Sequence, residues 1–145
     1  MTHSEIVKIS AKWLKKHNKN ILVPNCPTVL SEFSSATVTG EIPDIIGFCS
    51  WASVLIEVKT SRSDFLADKK KKFRKNCELG VGEFRYFCCT ENLISVRELP
   101  SNWGLLYLID DKIEIIQKAV KQTANLNCER TLLLSLIRRN EITTK

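Results

Sequence analysis

The chain has 145 residues, 43% apolar and 26% charged, with a formal net charge of +6. That balance suits one folded domain and excludes general disorder, and its longest apolar runs, such as Leu132-Leu133-Leu134, are too short to span a bilayer. No basic segment followed by an apolar run opens it, so a reducing, cytoplasmic setting is expected, with no membrane partner.

A first amphipathic helix is predicted over residues 4–16, with Ile6, Ile9, Trp13 and Leu14 as its apolar stripe and Thr2-His3-Ser4-Glu5 as a capping box. That box makes Glu5 a cap before it is a candidate acid. Short extended segments follow at 21–23, 28–33, 44–48 and 54–59. A second helix is predicted from Ser61 or Ser63 to Lys75, opened by Ser61 and Asp64 at capping-box spacing. Residues 84–89 read as a further strand, and 105–109 with 113–117 as a hairpin turning at Asp110-Asp111. A last helix is predicted over 127–139. The order, α-β-β-β-α-β-β-β-α, makes this a mixed α/β layer fold of one domain spanning 1–145.

The six cysteines form no C-x-x-C pair and lie far in sequence from both histidines, which argues against zinc and leaves them as free thiols. Charge is unevenly placed. Between Lys59 and Lys75 eight basic residues face two acids, so this window carries the whole +6. Such a cluster suits a polyanion, and a solvated lysine-rich helix face is the plain alternative.

If residues 44–48 and 53–59 form an antiparallel hairpin around a loop at 49–52, Phe48 opposes Ser53, and counting outward puts Asp44 opposite Glu57. Directly opposed side chains share a face about 5 Å apart. Two carboxylates so placed need a positive partner: Lys59, one pleat further on the same face, or a divalent cation such as Mg²⁺, with the Val58 carbonyl as a further ligand. A surface ion-pair cluster at a strand end remains the alternative.

Pro43-Asp44, a gap of a dozen residues and Glu57-Val58-Lys59 resemble the core of the PD-(D/E)xK nucleases. The continuation Thr60-Ser61-Arg62-Ser63-Asp64-Phe65-Leu66-Ala67-Asp68-Lys69 is similar to the MmcB-type DNA repair proteins and small phage relatives, and the likeness covers roughly residues 5 to 118. Phe84-Arg85-Tyr86-Phe87 and Leu99-Pro100-Ser101-Asn102-Trp103-Gly104 add to it. The resemblance implies a restriction-endonuclease-like mixed sheet flanked by helices, an α-β-β-β-α-β core with a C-terminal hairpin and helix. It further implies Mg²⁺-dependent cleavage of DNA phosphodiester bonds, with Mn²⁺ as substitute, in repair, recombination or phage DNA processing. By position, Asp44, Glu57 and the Val58 carbonyl would be metal ligands and Lys59 would act on the attacking water and the phosphate. Glu32 is the candidate for a further acidic ligand and Glu5 the weaker one; a strand glutamate such as Glu32 is as readily a plain solvent-facing residue. Arg62, Lys69, Lys70, Lys71, Lys72, Arg74 and Lys75 would contact the nucleic-acid backbone. A nucleic-acid-binding module of the same fold without turnover is the other class of reading. DNA against RNA, and monomer against homodimer, stay open at this stage.

Overall fold

A computed structural model of the chain describes residues 1–16, 23–31 and 41–144, with side chains through residue 138. In chain order the elements are α1 (His3–Lys16), β1 (Thr28–Ser31), β2 (Ile45–Phe48), β3 (Ser53–Val58), α2 (Arg62–Asp68), α3 (Lys72–Lys75), β4 (Phe84–Thr90), β5 (Gly104–Ile109), β6 (Lys112–Gln117) and α4 (Leu126–Thr144). Short 3-10 turns at Cys77–Leu79 and Val96–Glu98 precede β4 and β5 respectively. The segment expected at 21–23 lies outside the described residues except for Val23, which is in a bend, and so do residues 32 and 33 at the expected end of β1.

The fold is α/β. Six strands form one mixed sheet in the order β1-β2-β3-β4-β5-β6. The inner pairs β3–β4 and β4–β5 are parallel, and the remaining pairs are antiparallel. All six residues of β3 are buried, as a parallel strand covered on both faces requires, which is why this segment is a nearly continuous apolar run. Alternation splits the sheet between two cores. Val54, Ile56 and Val58 face α1, packing with Ile6, Val7 and Leu14. Leu55 faces the other side, with Phe65 of α2, Phe87 of β4 and Cys128 and Leu132 of α4.

On this second side Phe87 stacks on Trp103 (4.3 Å between centroids) and meets Phe65 edge-on at 5.2 Å. These contacts seat α2 over the carboxyl ends of the parallel strands. Glu129 pins α4 at the opposite end, accepting hydrogen bonds from Ser53 Oγ (2.8 Å) and the Gly82 amide (2.7 Å). The β5–β6 hairpin turns at Asp110 and Asp111, with φ of 50° and 62°, the left-handed pair of a type I′ turn.

The one expected element that changes form is the second helix. It is not continuous to Lys75: α2 ends at Asp68, residues 69–71 turn, and α3 restarts at Lys72 behind an extended Lys71 (φ −69°, ψ 138°). On an unbroken helix Asp68 and Arg74 would be about 120° apart around the axis. With the break, Arg74 Nε donates to Asp68 Oδ2 at 2.7 Å. The break also relieves a run of four lysines whose i,i+3 neighbours repel.

Candidate functional site

The β2–β3 hairpin has the register expected from its loop, with Phe48 opposite Ser53 and Ile45 opposite Ile56. One step beyond, Asp44 lies next to Glu57, each carboxyl within hydrogen-bonding reach of the other. Asp44 Oδ2 accepts the Val58 amide at 2.9 Å, so a side chain ends the ladder where a backbone carbonyl would otherwise accept. His3 Nε2, from the start of α1, approaches the same oxygen at 3.2 Å. Val58 itself packs into the α1-side core.

Glu57 is buried, and its Oε1 accepts from Arg74 Nη2 at 2.8 Å. The Arg74 side chain is 2% exposed and each of its nitrogens reaches a different carboxylate: Nη1 to Glu41 Oε2 (2.8 Å), Nη2 to Glu57 and Nε to Asp68. Its guanidinium carbon also lies 4.8 Å from the Trp103 ring centroid and 5.0 Å from that of Phe73. Lys59 Nζ donates to Asp68 Oδ1 at 3.1 Å, and Lys71 approaches that oxygen at 3.5 Å. Glu41 also accepts the Val81 amide at 2.9 Å.

The electrostatics are uneven across the cluster. Burial, with Asp44 and Glu41 nearby and despite Arg74, pushes the Glu57 carboxyl well above the usual carboxylate range. Asp68 is the reverse: burial opposes its charge, but Arg74 and Lys59 outweigh it and hold its carboxyl low. Arg74 is raised, since Glu57, Glu41 and Asp68 together overcome its own burial. The burden falls on Glu57, whose contact with Arg74 does not offset its burial beside two other acids.

Asp44, Glu57 and Lys59 thus come together on one side of the sheet. Arg74 does not join the exposed lysines, because the helix break turns it inward. Arg62 is exposed but tied in a two-pronged pair to Glu98 (2.6 and 2.8 Å) and to the Leu93 carbonyl. Lys69, Lys70, Lys71, Lys72 and Lys75 are exposed on α3 and on the turn that joins it to α2, Lys69 lying over the Phe65 ring at 4.9 Å. Glu32 lies outside the described residues, and Glu5 is exposed at the cap of α1, its amide bonded to Thr2 Oγ1. Sequence reasoning missed Glu41, Asp68 and His3 as members of this cluster. For Glu41 and Asp68 the available signal was an acid beside a motif residue or inside a lysine run, and neither pattern announces burial.

Among the described residues no group of three or more His, Cys, Asp or Glu side chains is arranged to hold a metal. Asp44 and Glu57 nevertheless fit a hard divalent cation: both donors are carboxylate oxygens within reach of each other, and Mg²⁺ commonly completes its shell with water and phosphate.

No protein-family model matches the chain, and no curated protein matches it. Among solved structures, SPO1766, a protein of unknown function from Silicibacter pomeroyi, is similar with a TM-score of 0.58 at 22% identity, over 81% of this chain and 80% of that one. The likeness is one of fold. No helix among the described residues is long and apolar enough to cross a membrane.

Proposed function

We propose that the chain is a divalent-metal-dependent nuclease of restriction-endonuclease-like type, hydrolysing DNA phosphodiester bonds in repair, recombination or phage DNA processing. The observation that carries this reading is the meeting of the Asp44 and Glu57 carboxyls at the end of buried β3, on the face that also holds Lys59. Mg²⁺, or Mn²⁺ in its place, would supply there a polarised phosphoryl oxygen and a more acidic bound water. Asp44 and Glu57 would hold the cation, whose charge would offset the burial that disfavours ionised Glu57. Asp68 accepts from Lys59 and aims it, so that its Nζ could stabilise negative charge developing on the phosphate. The exposed lysines begin at Lys69, just past the end of α2, and would follow the backbone without reading sequence.

One observation favours a second reading, a nucleic-acid-binding module without turnover. Arg74 already occupies Glu57, one of the two carboxylates that would hold the cation. Single-turnover cleavage of labelled linear, nicked, branched and single-stranded DNA in Mg²⁺, Mn²⁺ or EDTA separates the two. The nuclease reading expects cleavage with metal only, and Lys59→Ala to slow it on the order of a hundredfold to a thousandfold with binding retained. Tight binding with no cleavage of any substrate would leave the binding module.

A further inference from the structure

Strand β6 is the last of the sheet, and among the described residues no strand pairs with its outer side. Its six residues include no proline or glycine, and each is exposed or half-buried. Such an edge is a template for a further strand unless something blocks it. Its open hydrogen-bonding positions follow from the turn. Ile109 and Lys112 close the two-residue turn at Asp110-Asp111 as a hydrogen-bonded pair, and pairing alternates from there. Ile113, opposite Leu108, is therefore a non-hydrogen-bonded position towards β5, and its N–H and C=O point outward. The register shift between Leu105 and Leu106 ends the regular ladder just past Ile115.

The side chains decide what fits this edge. Ile113 and Ile115 pack toward the α1-side core, and Lys112 and Glu114 lie exposed on the opposite face. Neither charge has an ion-pair partner among the described residues. A single charge on an edge strand repels its own copy, but the order Lys112-Ile113-Glu114 complements itself. When two copies meet antiparallel about a two-fold axis at Ile113, the two Ile113 residues oppose each other, and each Lys112 opposes the Glu114 of the other copy. Both ion pairs then fall at non-hydrogen-bonded positions, where Cα atoms are about 4.5 Å apart and side chains come closest. Moving the axis one residue, to Glu114, would set Glu114 against itself at the same short spacing, so charge selects the first register. We infer that β6 pairs with β6 of a second copy of this chain, joining the two sheets into one across a two-fold axis at Ile113. A strand of another protein would need a base and an acid at the matching positions, and this chain supplies both. The inference uses no residue of the carboxylate cluster and stands apart from the nuclease reading.

The test is sedimentation equilibrium of the full chain in EDTA, from about one micromolar to about one millimolar. The wild type should pass from one chain to two as concentration rises. Lys112→Glu, or Glu114→Lys, turns both attractive pairs into repulsive ones and should raise the dissociation constant roughly tenfold or more. Mixing the two single variants in equal amounts restores two opposite-charge pairs across the axis. The mixture should therefore associate within a few-fold of the wild type, and that recovery also shows that each variant is folded. A chain carrying both changes, Lys112→Glu with Glu114→Lys, should regain self-association, since its charges are exchanged but still complementary. A wild type that stays monomeric over the whole range overturns the inference. So does a dimer that either single reversal leaves unchanged, or one that neither the mixture nor the double variant recovers. The measurement uses neither DNA nor metal, so its failure leaves the cleavage assay unaffected, and failure of cleavage leaves the paired edge standing.

Discussion

Arg74 is the side chain on which the carboxylate cluster depends. Removing it would leave Glu41, Glu57 and Asp68 buried without the guanidinium that each of them now meets. Breaking a buried ion pair from one side typically costs about 3–5 kcal/mol. Arg74→Met should therefore lower the urea midpoint by that order. Arg74→Lys should recover only part, since one ammonium cannot meet three carboxylates as a planar fork does. Glu57 sets a pH dependence of its own. Its folded carboxyl holds its proton above the ordinary value of 4.5, so the contribution is complete below that value and is lost as pH rises through the raised one. Asp68 acts oppositely, its contribution being lost only as pH falls below its ordinary value of 3.8. Metal-free protein should thus lose stability as pH rises above about 5. Glu57→Gln, which keeps an acceptor for Arg74 and a donor for Asp44, should flatten that fall in thermal melts across pH. Glu129, raised chiefly by its burial, would contribute the slope that remains.

Among the elements, the broken helix does two jobs that a continuous one could not. It sends Arg74 inward and leaves Lys69, Lys70, Lys72 and Lys75 exposed. Replacing those four lysines with Gln should weaken binding to all duplex sequences alike, with the salt slope falling by up to about 0.9 per lost phosphate contact. Salt-dependent binding isotherms check this, and an unchanged slope would return the run to a solvated face. The β5–β6 hairpin offers a test of turn chemistry. Asp110 and Asp111 both hold left-handed φ, which suits Asn-Gly better than Asp-Asp. Asp110→Asn with Asp111→Gly should raise stability by up to about 1 kcal/mol, read as an increase of a few degrees in melting temperature. Both this turn and the Ser61 cap of α2, whose Oγ accepts the Asp64 amide at 3.2 Å, were legible in sequence because they depend on residues at most three apart.

For the whole molecule, the mixed sheet places the carboxylate pair at the end of its buried strand β3. Divalent binding at that pair should couple to global stability, since only the folded chain brings Asp44 and Glu57 together. Mg²⁺ or Mn²⁺ should raise the melting temperature of the wild type, and Asp44→Asn should remove most of the rise. Calorimetry showing equal divalent binding in both would remove Asp44 from the site.

The hairpin register, and with it the meeting of Asp44 and Glu57, was determined by the sequence alone. A loop at 49–52 puts Phe48 opposite Ser53, and each further pair follows by counting outward. The buried character of β3, the α1 stripe and the Asp110-Asp111 turn were determined in the same local way. The partners of the charges were decided by the tertiary structure. Glu41, Glu57, Asp68 and Arg74 come from separate segments, and a lysine run reads identically whether its arginine points to water or to three carboxylates. Which it does depends on desolvation and on where the chain breaks its helix to satisfy buried acids, a balance reached only once the sheet, α2 and Trp103 are packed around them.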